Sequence, residues 1–183
     1  ASWNPVVDGL VRTIAMNPST TGGSPLVLIG GDFDTVDGDA NYHAVAALFE
    51  TSGERYSGLG ANAVGNVFSI TVAPDYVYVG GAFTRINGQE SQERITRYSN
   101  DGNFLYDASW NPVPLGGYVA SIAVSGTNVS VGGEIYSVGA HRRNGIAALD
   151  STGKLKSWYP MGGANGSVLA IEATGNGKLY VAG

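Results

Sequence analysis

Three Gly-Gly doublets recur at a near-constant interval: Gly30-Gly31, Gly80-Gly81 and Gly132-Gly133, fifty and fifty-two residues apart. A degenerate fourth copy, Ala182-Gly183, follows fifty residues later. Each doublet closes a short apolar run: LVLIGG, VYVGG, NVSVGG and LYVAG. A fixed period of that length is the mark of a repeat architecture, in which one small unit buries its apolar face only by stacking on copies of itself.

Aligned on the doublets, each period has four segments. The first alternates apolar and polar residues: VRTIAM (11–16), VFSITV (67–72), VASIAV (119–124) and VLAIEA (168–173). Period-two alternation predicts a half-buried strand. Turn formers follow, and then the strand that ends in Gly-Gly, where glycine permits a bulge or the close approach of a neighbouring backbone. The third segment is DFDTVDG (32–38), AFTRING (82–88) or EIYSVGA (134–140), with Ile135 in the place of Phe33 and Phe83. The fourth is an apolar run closed by Ser-Gly, Asp-Gly or Thr-Gly within 43–54, 93–103 and 144–154. These closures are hairpin signals.

No segment holds a helical period beyond two turns. The expectation is therefore an all-β chain with four strands per copy and approximate repeats 1–53, 54–107, 108–156 and 157–183, the last incomplete. Trp3, Tyr56, Trp110 and Trp158 fall just after the fourth strand of successive copies. One large ring per connection is expected to wedge between adjacent sheets, where it buries extensive apolar area. Four-stranded units of about 40–50 residues predict a β-propeller; solenoid coils are shorter. About three and a half blades fall short of the usual minimum of four. The strand GKLYVAG (177–183) is then expected to expose an edge, to be covered by further residues of the same polypeptide or by a neighbouring subunit.

The strings VYVGGAFTRING (77–88) and ALDSTGKLKSWYP (148–160), with ASWNP at 1–5 and again at 108–112, resemble the delta-60 repeat, a family of bacterial surface and secreted proteins. The pattern is also similar to kelch propellers and to fungal cortical-marker propellers, although Tyr98 and Trp110 stand further apart than in kelch. The resemblance implies a propeller fold and an extracellular or cell-surface setting, and it supplies no catalytic motif.

Composition narrows the chemistry. Net charge is −5, from 10 Lys and Arg against 15 Asp and Glu. Nucleic acid is not an expected partner, because phosphate backbones need a basic face. Cysteine is absent, so disulfides and thiolate chemistry are excluded. No apolar stretch reaches 18 residues, so no helical membrane span is expected. The two histidines, His43 and His141, have no second ligand at helical spacing, and no nucleophile elbow is present. No catalysis and no resident cofactor are expected.

Three weaker signals remain. Asp32, Asp34, Asp37 and Asp39 supply oxygens of the kind calcium takes, though without the EF-hand spacing; the competing reading is turn support through local backbone hydrogen bonds. Aromatic faces could stack on glycans, as in a lectin. Asn128 and Asn165 head glycosylation sequons. The expected function is a non-enzymatic structural, assembly or adhesion module whose partners are protein, with a glycan- or calcium-dependent binding propeller as the alternative and a propeller enzyme third.

Overall fold

The first alternating run of each period pairs antiparallel with the doublet strand that follows it, and this hairpin is the kernel of every sheet. The computed structural model describes residues 3–18, 23–88, 93–112, 115–160 and 162–183. The opening two residues of the first ASWNP string therefore lie outside it. Among the described residues the chain is all-β, its one helical piece being a single 3-10 turn at Ala40–Tyr42.

Strands β1 (Leu10–Asn17), β2 (Leu26–Asp32), β3 (Val45–Phe49) and β4 (Arg55–Gly60) form a four-stranded meander. Two-residue strands β5 (Ala63–Val64) and β8 (Arg85–Ile86) pair with each other. The second sheet consists of β6 (Val67–Val72), β7 (Tyr76–Gly81) and β9 (Ile95–Ser99). Strands β10 (Leu115–Ser125) and β11 (Asn128–Val138) form a long hairpin. Strand β12 (His141–Arg142) folds onto its far end, and β13 (Ile146–Leu149) completes this third sheet. Strands β14 (Ala170–Ala173) and β15 (Leu179–Ala182) make the fourth.

One strand assignment is corrected. The third segment adds no strand beside the doublet strand: in the third copy 134–138 prolongs β11 itself, and in the first two the segment folds back. In the first copy Val36 instead bridges Val7, and in the second β8 meets β5. The reason is the turn. Asp37 and Gly38 take φ of 49° and 76°, and Asn87 and Gly88 take 51° and 71°. Positive φ at both central residues gives the tight primed turn that Asp-Gly and Asn-Gly favour, so the segment folds back and buries Phe33 or Phe83. The place beside β2, β7 or β11 passes to the next apolar run, as β3, β9 or β13. The fourth place comes from after that run. It is a full strand only as β4 and is reduced to the bridges Tyr98–Tyr106 and Leu149–Leu155 in the next two copies. The sequence boundary at 53/54 thus falls inside the first sheet, between β3 and β4.

The two glycines of a doublet do different work. A Cβ on the second would strike a backbone carbonyl: Leu10 O at 2.0 Å from Gly31, Asn66 O at 2.1 Å from Gly81, Tyr118 O at 2.0 Å from Gly133. Opposite each, the first strand carries a one-residue bulge at Arg12, Phe68 or Ala120. A bulge drives the bulged strand toward its partner, and glycine leaves room for it. A Cβ on the first glycine would meet the next sheet. From Gly30 it reaches Val67 and Ile70, from Gly80 Val119 and Ile122, and from Gly132 Val168 and Ile171.

Sheets therefore stack through their first strands: β1 lies against β6, β6 against β10 and β10 against β14. Separate apolar cores fill the gaps. Leu26, Leu28, Val67, Val77 and Val79 lie between the first two sheets, and Tyr78, Val119, Ile122, Val129 and Val131 between the next two. Ala123, Ile146, Val168 and Ile171 lie beyond.

A hydroxyl crosses each gap beside the glycine. Thr13 Oγ1 accepts the Ile70 N–H at 3.2 Å, Ser69 Oγ that of Ile122 at 3.2 Å and Ser121 Oγ that of Ile171 at 3.0 Å. Ser69 is buried, so removing its oxygen strands an amide from water. Ser69→Ala is expected to cost about 1–3 kcal/mol, the desolvation penalty of an unpaired buried donor. A urea melt checks it, and an unchanged midpoint would mean that the amide finds another acceptor.

Candidate functional site

The four acids of the DFDTVDGD stretch meet three basic side chains, Asp37 and Asp39 sharing one. Asp32 meets Arg12 at 3.5 Å and Asp34 meets His43 Nε2 at 3.0 Å. Asp37 accepts the Val6 N–H at 2.8 Å, and Asp39 caps the short 3-10 turn by accepting the Asn41 N–H at 3.0 Å. Arg55 lies 3.9 Å from Asp37 and 3.7 Å from Asp39. The cluster a cation would need is not assembled: among the described residues no three His, Cys, Asp or Glu side chains converge. Each acid holds a local turn or ion pair.

A fifth acid completes this corner. Asp8 Oδ1 accepts the N–H groups of Asp34 and Thr35 at 2.9 Å each, and its Oδ2 takes the Thr35 hydroxyl at 3.0 Å. The Thr35 N–H foremost holds the Asp8 carboxyl below its ordinary range. Asp101, foremost through the Asn103 N–H, and Asp150, foremost through the Thr152 hydroxyl, are lowered likewise in the turns after β9 and β13.

Three of the four phase-marking aromatics share one geometric role. Trp3, Tyr56 and Trp110 each pack on the turn that follows the third strand of the next sheet; Trp158 does not, its next sheet having two strands. Trp3 Nε1 donates to Phe49 O at 3.1 Å, and a Cβ on Gly53 would come 3.3 Å from its ring. The Tyr56 hydroxyl donates to Gly102 O. A Cβ on Gly153 would come 3.3 Å from Trp110 Nε1. Their burial differs widely: Trp110 is 1% exposed, Trp3 46% and Trp158 42%. Trp158 lines an open cleft with Asn128, Lys156, Lys178 and Leu179.

Around Trp110 lies a buried polar cluster. Its ring meets Tyr78 edge-on at 5.5 Å. The Arg97 guanidinium sits 3.7 Å above the Tyr76 ring and 5.1 Å from that of Trp110. Arg97 donates to Asp107 Oδ2 from Nε at 2.9 Å and Nη2 at 2.7 Å, and to Ser151 O from Nη1 at 2.9 Å. It stands where the neighbouring copies carry Ala47 and Ala148. The sequence analysis passed over it, though Arg97 at a strand position where the neighbouring copies carry alanine was the available signal. The Thr13, Ser69 and Ser121 bridges were equally legible as one hydroxyl at one repeat position.

Burial pushes the Asp107 carboxyl up, but hydrogen bonds from Ser109 and Arg97 and the charge of Arg97 outweigh it, and its pKa lies below the ordinary 3.8. A depressed folded-state pKa gives stability that is complete above the unfolded value and is lost as pH falls through the folded one. Asp8, Asp101 and Asp150 act with the same sign. Melting temperature is expected to hold down to about pH 4 and to drop below it. Asp107→Asn should be less stable at pH 7 and lose less between pH 4 and pH 2. Parallel curves for the two proteins would refute the assignment.

The sequence His141-Arg142-Arg143 is the chain's basic cluster; His141 and Arg142 are exposed on β12, whereas Arg143 is buried over the Tyr159 ring at 4.7 Å. Both sequon asparagines are exposed; Asn128 accepts from Lys156, and Asn165 lies in the connection before β14. No described helix is long and apolar enough to cross a membrane.

The class the fold defines is an array of antiparallel β-sheets in tandem repeat. No family model and no curated protein matches the chain. Two solved structures are similar at the level of fold. One is the extracellular domain of BT4673, assigned as a one component system of B. thetaiotaomicron, with 15% identity and a TM-score of 0.51 over 97% of this chain and 20% of that one. The other is the computationally designed Ika4 protein, with 15% identity and a TM-score of 0.49 over 97% of this chain and 94% of that one. The chain thus spans one fifth of the BT4673 domain.

Proposed function

We propose that the chain is a stretch of β-propeller of the delta-60 type, acting as a non-enzymatic structural, assembly or adhesion module of an extracellular or cell-surface protein. One observation carries the reading. The polar and aromatic groups that recur with the period engage the neighbouring sheet: Thr13, Ser69 and Ser121 bridge consecutive first strands, and Trp3, Tyr56 and Trp110 pack on consecutive turns. First strands lying side by side suit sheets set radially about an axis. The setting of the BT4673 domain agrees with the one that the repeat pattern implies.

The test is a calcium titration by melting together with a glycan array. A ligand at a hundred times its dissociation constant adds about 2.7 kcal/mol of stability. The expected result is no shift with millimolar calcium or chelator and no retained glycan. A shift, or a retained sugar, would replace the proposal with a binding propeller. One observation favours that second reading: Trp158 presents an open ring beside Lys156 and Lys178. It requires Trp158→Ala to abolish retention without altering the melt.

A further inference from the structure

A cleft of about 250 Å³ opens between the first two sheets. Asn17, Ser24, Leu26, Phe49 and Tyr56 line it from the first sheet and its connections, and Asp101 from the turn after β9. Both walls are sheets that this chain supplies, and the Tyr56 hydroxyl crosses between them to Gly102 O. Two features set this gap apart. Eight residues separate β1 from β2, against three between β6 and β7 and two between β10 and β11. An insertion in one repeat often marks a binding face. Tyr56 also stands where the next copy carries Trp110, a larger ring that is 1% exposed.

The next gap holds a cation at the corresponding place. There the Arg97 guanidinium lies over Tyr76 and beside Trp110, and it donates to Asp107 and to Ser151 O. Leu26 and Tyr56 are the counterparts of Tyr76 and Trp110, and Ala47 stands in the place of Arg97. Among the described lining residues of the first gap, Asp101 is the one that carries a charge. The first gap thus keeps aromatic rings and a carboxylate but has no cation of its own.

Two acceptors there are free. Asp101 Oδ1 takes the Ser99 hydroxyl at 2.8 Å and the Asn103 N–H at 2.9 Å, and Oδ2 has no described partner. Asn100 Nδ2 donates to Ala73 O at 2.8 Å, which turns its Oδ1 toward Asn17, and Asn17 Nδ2 donates to that oxygen at 2.8 Å. The Asn17 Oδ1 is thereby left buried without a donor. A buried acceptor costs stability until a donor reaches it.

We propose that this cleft binds a guanidinium group, with its N–H donors shared between Asp101 Oδ2 and Asn17 Oδ1 and its plane against the Phe49 and Tyr56 rings. Guanidinium suits the site because it is planar and weakly hydrated, stacks on aromatic faces and donates within its own plane. The ligand does in the first gap what Arg97 does in the second.

Isothermal titration of the 183-residue chain with butylguanidinium tests it, with butylurea as a neutral ligand of the same shape. Butylguanidinium should bind with a dissociation constant of about a millimolar, the level that so small a ligand reaches. Butylurea should bind about fivefold more weakly, the equivalent of one exposed ion pair. Asp101→Asn retains the acceptor that holds the turn. It should weaken butylguanidinium about fivefold and leave butylurea unchanged. Tyr56→Trp, which installs the ring of the neighbouring copies, should fill the cleft and abolish binding with the melt unchanged. Asp101 is exposed, so its variant carries the test even if the Tyr56 variant fails to fold. Acetyl-arginine amide separates two sources of the group: equal binding assigns the cleft to an arginine side chain on a peptide, and weaker binding assigns it to a free guanidinium compound. No binding by the parent, equal binding of butylurea, or binding undiminished in the Asp101 variant or in a folded Tyr56 variant would each overturn the proposal.

Discussion

Trp110→Ala should lower stability by about 3–5 kcal/mol, the cost of truncating a buried large aromatic. For a chain of this size that is roughly 10 °C in melting temperature. Trp110 sits at the junction of three elements. Its ring packs on Tyr78 in the doublet strand, lies beside the Arg97 guanidinium and supports the Gly153 turn of the next sheet. Removing it opens a cavity between two sheets and takes one of two aromatic faces from a buried cation. Trp158→Ala makes the internal comparison. The same repeat position is 42% exposed there, so its loss should stay within about 1 kcal/mol. Guanidinium melts of the two variants decide the matter. Equal losses would mean that exposure does not govern what these rings contribute. A Trp110 variant of parental stability would remove the ring from the core.

The second large effect separates two residues that look identical in the sequence. Gly81→Ala should cost about 3 kcal/mol or more, above the range of ordinary overpacking. Its Cβ would lie 2.1 Å from Asn66 O and 2.9 Å from Val67 Cα, both backbone atoms fixed by the bulge. Gly80→Ala should cost less, about 1–2 kcal/mol. Its Cβ meets Val119 Cγ1 at 2.7 Å and Ile122 Cδ1 at 2.8 Å, which can turn aside. Val119→Ala should partly rescue Gly80→Ala, because it removes the methyl that collides, and it should leave Gly81→Ala unchanged. A double-mutant cycle by urea melting reads the coupling. Rescue of both glycine variants, or of neither, would refute the division of roles.

The period and the alternation of apolar residues determined much of this protein before any coordinates. Side chains alternate across a strand, so the alternation in VFSITV and VASIAV announces strands, and β6 and β10 form where they stand; that β6 is covered on both faces, Val67 and Ile70 meeting the first sheet and Ser69 the third, was not announced. The absence of sustained helical periodicity likewise matches an all-β chain. The doublets announced that something approaches the backbone closely every fifty residues.

What approaches was a tertiary matter. Gly81 yields to a bulge in its own hairpin and Gly80 to the next sheet, and a pattern of residue types does not distinguish a neighbour in the same sheet from one in another. The third segment misled for a related reason. Phe33 and Val36 are buried like strand residues, but they stand three apart rather than two, and the primed turn at Asp37-Gly38 sends the segment back toward Val7. The Asp32, Asp34, Asp37 and Asp39 run shows the limit most sharply. Four acids close in sequence are compatible with convergence on a cation or with divergence to separate partners. Only the fold shows the arrangement: Asp32 meets Arg12 and Asp34 meets His43, while Asp37 and Asp39 share Arg55. Sequence determined where the strands run, because alternation follows from the geometry of a single strand; which faces are covered, and by which sheet, turn or charge, depends on contacts about fifty residues away, so that Thr13 meets the next sheet while Ile14 beside it stays exposed.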